Sequence, residues 1–114
     1  MHMSELYTGH LHIASNNNTG RIYQDWRKKY YRKPGAFVIQ YLDSVPDKGA
    51  AYLFLKDSPG EHLHTSIGDV QITADIIQIR TSRSLYVFIK DSECLLEKDV
   101  IELRKRVEKC FDDI

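Results

Sequence analysis

Hydrophobic and polar positions alternate along most of the chain, and the rhythm changes only near its end. Residues 6–14 set Leu11 and Ile13 against His10 and His12, which predicts a half-buried first strand in which Gly9 permits close backbone approach. Residues 25–33, Asp-Trp-Arg-Lys-Lys-Tyr-Tyr-Arg-Lys, interleave aromatics with cations and reach a Pro34-Gly35 turn. Ala-Phe-Val-Ile-Gln-Tyr follows at 36–41. Aromatic and β-branched residues favour the extended state, so the pattern predicts two strands joined at Pro34-Gly35. Two-residue alternation then puts Trp26, Lys28, Tyr30 and Arg32 on one side and Arg27, Lys29, Tyr31 and Lys33 on the other. Further strands are predicted over 50–55 and 67–73. Residues 75–81 and 84–90 read as a hairpin across Ser82-Arg83. The last of these, with Leu85 to Ile89 apolar at every position, predicts cover on both faces.

From there the period lengthens. Leu96, Val100, Leu103, Val107 and Phe111 recur at helical spacing, with Lys98, Glu102, Lys105 and Lys109 opposite. Asp91 or Ser92 is the expected N-cap, and acidic residues in the first turns complement the helix dipole. The order is seven strands and then one amphipathic helix. A seven-stranded antiparallel sheet of this length should curl into a sandwich or partly open barrel, its open end capped by the C-terminal helix. The expected core is Trp26, Phe37, Ile39, Leu53, Ile77, Ile79, Tyr86, Phe88, Leu96, Val100, Leu103 and Val107.

At 114 residues the chain is long enough for one domain with its own core. Met1-His2-Met3 reads as an expression-vector remnant, leaving residues 4–114 as a single domain. Sixteen basic and 16 acidic residues cancel, so no global field draws the chain to nucleic acid or membrane. Charge is instead clustered. Five cations fall within residues 27–33, against an acidic C-terminal third that includes Glu93, Glu97, Asp99, Glu102, Glu108, Asp112 and Asp113. Cys94 and Cys110, placed near opposite ends of the helix at about 1.5 Å per residue, lie beyond disulfide reach. Free thiols and the lack of a leader or a membrane-length apolar run fit a cytoplasmic setting. Asn17-Asn18-Thr19 matches a glycosylation sequon, which carries little weight without a secretory signal.

Several motifs resemble those of the pleckstrin homology (PH) domain family, over nearly the whole chain. Tyr7-Thr8-Gly9-His10-Leu11 is similar to the family's opening, and Trp26-Arg27-Lys28-Lys29-Tyr30-Tyr31 to its basic second strand. Residues 37–41 and Lys48-Gly49-Ala50-Ala51-Tyr52-Leu53 are similar to the next two strands. Ile77 to Thr81 and Tyr86-Val87-Phe88 are similar to the final hairpin. There are three departures. The family's helical Trp is absent near Asp99 and Val100, and Arg32-Lys33 replace an apolar pair. Ile13 stands where phosphoinositide-binding members carry a Lys. The resemblance implies a non-catalytic module of a larger signalling, trafficking or cytoskeletal protein. Such a module is recruited to phosphoinositide-containing or anionic membrane with weak headgroup selectivity; the alternative is a protein-interaction module that binds no lipid.

The anion site implied in this way is Arg27, Lys28 and Lys29 with Arg21, beside residues 15–20, whose backbone N–H groups would join the cations. Guanidinium forks suit phosphate, so Arg27 should matter more than Lys28. Stacking of nucleic-acid bases on Trp26, Tyr30 and Tyr31 is the lesser reading, since the chain is neutral. His10 with His12, and His62 with His64, have the spacing of metal ligands in a strand. They lack a completing Cys or carboxylate beyond Glu61, so surface histidines are expected and no metal. No nucleophile, base and orienter occur together, and no catalytic site or cofactor is expected.

Overall fold

The computed structural model describes residues 2–112. Met1 of the suspected remnant, Asp113 of the acidic third and Ile114 at the expected domain end lie outside them. The described residues form eight strands: β1 (His2–Met3), β2 (Tyr7–Asn16), β3 (Gly35–Tyr41), β4 (Lys48–Leu55), β5 (His62–His64), β6 (Gly68–Thr73), β7 (Ile76–Arg80) and β8 (Ser84–Lys90). One helix, α1 (Glu97–Asp112), follows them. Six of the strands close into an antiparallel barrel in the cyclic order β2, β3, β4, β6, β7, β8. The short β1 adds to β3 and the short β5 to β4. The sheet is therefore closed rather than partly open, and its strand count differs from the expected seven.

Closure depends on β8 returning to β2, from Gly9 opposite Lys90 to Asn16 opposite Ser84, with a bulge between Leu11 and Ile13. The bulge resets the alternation, so Ala14 rather than Ile13 joins Leu11 in the interior. His12 falls at the bulge, which breaks the face-sharing expected for it and His10. Close approach at Gly9 is confirmed: φ is +154° and a Cβ there would meet the Ile89 carbonyl oxygen at 1.9 Å.

Inside the barrel Phe37 and Phe88 stack at 5.0 Å among Ile39, Leu53, Leu63, Ile77 and Ile79, all fully buried. A second apolar cluster lies on the outer face of β3 and β4. There Ala36, Val38 and Phe54, which alternate with the interior residues, pack against Leu103 and Val107 of α1. The helix thus lies along the barrel wall and does not cap an open end. Double cover falls on β3, buried from Gly35 to Ile39, and on much of β4, whereas Leu85, Val87 and Ile89 of β8 are only half-buried on its outer face.

Two expected core residues are solvent-facing, Trp26 at 51% and Leu96 at 61% exposure, and Val100 is half-buried. Leu96 precedes the helix, and its carbonyl accepts from the Asp99 and Val100 N–H groups, so the helix starts later than an Asp91 or Ser92 cap requires. Asp91 instead accepts from the Glu93 N–H in a local turn. Cys94 also lies ahead of the helix rather than in it, and no disulfide joins it to Cys110. His2–Met3, set aside in the sequence as a remnant, pairs with Tyr41 and Gln40.

Candidate functional site

Residues 17–34, between β2 and β3, form no strand. Two isolated bridges tie them to the rest, Ser15 with Ile22 and Leu11 with Tyr31. They lie beside the second half of β2, which β3 does not reach. Trp26–Tyr30 is a 3-10 helix. Asp25 starts it, its side chain accepting from the Arg27 N–H at 3.1 Å and its carbonyl from the Lys28 N–H at 3.0 Å. Tyr30, only 2% exposed, anchors it in the barrel core. The stretch ends at Arg32, held at φ +60° with its N–H bonded to the Leu11 carbonyl at 2.8 Å.

A 3-10 helix repeats every three residues, and this overturns the expected pairing of Arg27 with Lys29. Arg27 now shares its side with Tyr30 and turns inward, Trp26 shares a side with Lys29, and Lys28 faces water. The Arg27 Nε donates to the Tyr86 hydroxyl at 2.9 Å, and Nη1 pairs with Asp25 Oδ2. Its guanidinium lies 4.0 Å from the Tyr23 ring centroid and 4.8 Å from that of Trp26. Burial disfavours its charge, but the hydrogen bond to Tyr86 and the pull of Tyr86, Asp25 and Tyr23 outweigh that and raise its pKa. Lys29 reaches the other way, to Glu61 Oε1 at 3.1 Å, and this hydrogen bond holds its pKa above the ordinary lysine value.

The backbone donors expected to cradle an anion are also committed. Asn16 Oδ1 accepts from the N–H groups of Asn18 at 2.8 Å and Thr19 at 3.1 Å. The Asn16 carbonyl takes Gly20, the Arg83 carbonyl takes Asn17, and Thr19 Oγ1 takes Arg21. A carboxamide oxygen thus sits where an anion would. Asn17, the sequon residue, donates its amide to the carbonyls of Thr81 and Ser84.

Of the four expected residues Arg21, Arg27, Lys28 and Lys29, Arg27 is thus held by Tyr86 and Asp25 and Lys29 by Glu61, so these two do not converge on one anion. Arg21, Lys28, Arg32 and Lys33 are exposed and form no ion pair with any described residue. Two apolar side chains stand among them, Trp26 at 51% and Ile22 at 45% exposure. Sequence reasoning missed the roles of Asn16, Asp25 and Glu61, which occupy the donors and two of the cations. Asp25, two residues before Arg27, carried a readable turn signal; Glu61 carried none. No three or more His, Cys, Asp or Glu side chains cluster as metal ligands among the described residues. No family model, curated protein or solved structure matches the chain.

Proposed function

We propose that the chain is a non-catalytic, PH-like binding module that docks on the anionic cytoplasmic face of a membrane. It uses the exposed basic-aromatic surface of residues 21–33 rather than a headgroup pocket. The observation that carries this reading is Trp26, half in water on a base fixed by Arg27 and Tyr30 and accompanied by four cations that form no ion pair with a described residue. Indole rings favour the headgroup layer, where their apolar body and polar tip are both accommodated. Each cation near an anionic leaflet contributes about 1 kcal/mol, so Arg21, Lys28, Arg32 and Lys33 add to what one Trp supplies. Neither signal alone holds a protein at a bilayer. The commitment of the residue 16–21 N–H groups to acceptors of the protein itself favours a charge-driven contact with weak headgroup selectivity.

Sedimentation with vesicles tests this. Binding should require phosphatidylserine in phosphatidylcholine vesicles, fade as salt rises through the physiological range, and drop by about tenfold in Trp26→Ala and in Lys28→Glu. Equal binding to neutral vesicles, or none to anionic ones at low salt, refutes the reading.

A further inference from the structure

A separate surface lies at β5. Among the described residues this strand pairs with β4 alone, which leaves its other edge open to them. The Thr65 N–H bonds to the Ala51 carbonyl at 3.0 Å. By alternation Leu63 also addresses β4, and His62 and His64 turn their backbone N–H and C=O groups outward. Their rings lie on the outer face, His62 stacked on Phe54 at 5.1 Å and His64 on Tyr52 at 4.1 Å.

A cleft opens at each end of this shelf. One, of about 310 Å³, has Phe54 and His62 with Arg106 and Lys109 of α1. Arg106 fixes its loop by donating to the carbonyls of Leu55 at 2.7 Å and Ser58 at 3.1 Å. Lys109 is exposed and makes no ion pair with a described residue, and Glu61, the acid in this cleft, is already held by Lys29. The other cleft, of about 360 Å³, is lined by Tyr52, His64, Ala50 and Ile67, the last 51% exposed.

The geometry points to β5 as a docking edge for an extended peptide that pairs with His62 and His64. An acidic side chain would enter the Arg106–Lys109 cleft and an apolar one the Ile67 cleft. Backbone pairing supplies affinity without sequence preference, and side chains two or four positions apart reach the two clefts from one face of the added strand. The cationic cleft, with its own acid engaged, selects a carboxylate. The occupant is thus a strand-forming, acidic-to-apolar peptide and not a lipid.

The test titrates the full chain with the blocked peptide Glu-Thr-Val-Thr-Leu and with the same residues in reverse order, which covers both strand polarities. Saturation by one of them should slow amide exchange at His62 and His64 by about tenfold or more. Affinity should fall about tenfold in Lys109→Glu, and similarly in Ile67→Asp. Trp26→Ala should leave peptide affinity unchanged while it weakens vesicle binding, so the two surfaces fail independently. The inference is overturned if neither polarity protects these amides at millimolar peptide, or if a probe with Lys in place of Glu binds equally well. Protection that appears without peptide as protein concentration rises would likewise overturn it, by giving the edge to a second copy of the chain.

Discussion

Two stretches meet at Pro34 and Gly35, both with the composition of a strand, and they end in opposite conditions. Gly35–Tyr41 is buried on both faces over its first five positions, against the barrel interior on one side and α1 on the other. Residues 22–33 hold four aromatics against two there, yet form no strand beyond single bridges. The difference lies in where the charges fall. An extended 26–33 would put two cations on one face and three on the other, leaving neither able to enter a core. A three-residue repeat sends Tyr30 inward and lets Arg27 follow it onto tyrosine rings, while Lys28 stays in water. Aromatic content draws a segment to the protein, but only an uninterrupted apolar face lets it become a covered strand.

The comparison breaks most sharply at its two large aromatics. Phe37→Ala removes a fully buried ring stacked on Phe88 and should cost about 3–5 kcal/mol in urea unfolding. Trp26→Ala should cost under about 1 kcal/mol in the same measurement, as expected for a side chain half in solvent. Similar losses in the two variants would mean that residues 22–33 are as integral to the core as β3.

The outer cover of β3 is a smaller test. Leu103 is 1% exposed beside Ala36 and Val38, and Leu103→Ala should cost about 2–3 kcal/mol. An unchanged thermal midpoint would show that the helix does not seal the wall, and β3 would lose its distinction.

The smallest effect is a pH dependence carried by two histidines outside the barrel core. His10 titrates below 6.5 because of burial and then the nearby His12 charge, with Asp91 and Arg32 acting less strongly; His64 does so because of burial and then His62. The unfolded chain therefore binds more protons as pH falls through about 6.5. Stability is full above that value, declines below it, and levels off once the folded pKa values are passed. Thermal unfolding from pH 7.5 to 5 should show the decline, reduced in the His10→Gln, His64→Gln double variant. A midpoint that rises on acidification contradicts it.

Legibility in the sequence tracked how much apolar periodicity each element carried. The last hairpin, β3, β4 and the helical stripe of Leu103 and Val107 were readable because burial and period agree there. β5 escaped notice because three residues are too few to show alternation, and β1 because two residues have none. Barrel closure was hidden because the β2–β8 register joins distant segments, and the bulge at Leu11–Ile13 shifted the one pattern that would have signalled it. At the candidate site the cations were visible, but their occupation was not. Asp25 and Asn16 act through turn geometry, and Glu61 through a contact across 32 positions.

The return of β8 to β2 also governs when this chain can fold. The Thr8 hydroxyl donates to the Asp91 carbonyl across 83 positions, and the strands between them line the same interior. Until residues 84–90 have left the ribosome, β2 lacks its partner along most of its length and β7 lacks one of its two neighbours. Such distant pairing places the domain among slow folders, on the millisecond-to-second scale (~10⁻³–1 s). During synthesis the apolar strands β3 and β4 wait exposed for a late segment to close the barrel, and that interval is when a nascent chain is most open to chaperones and to aggregation.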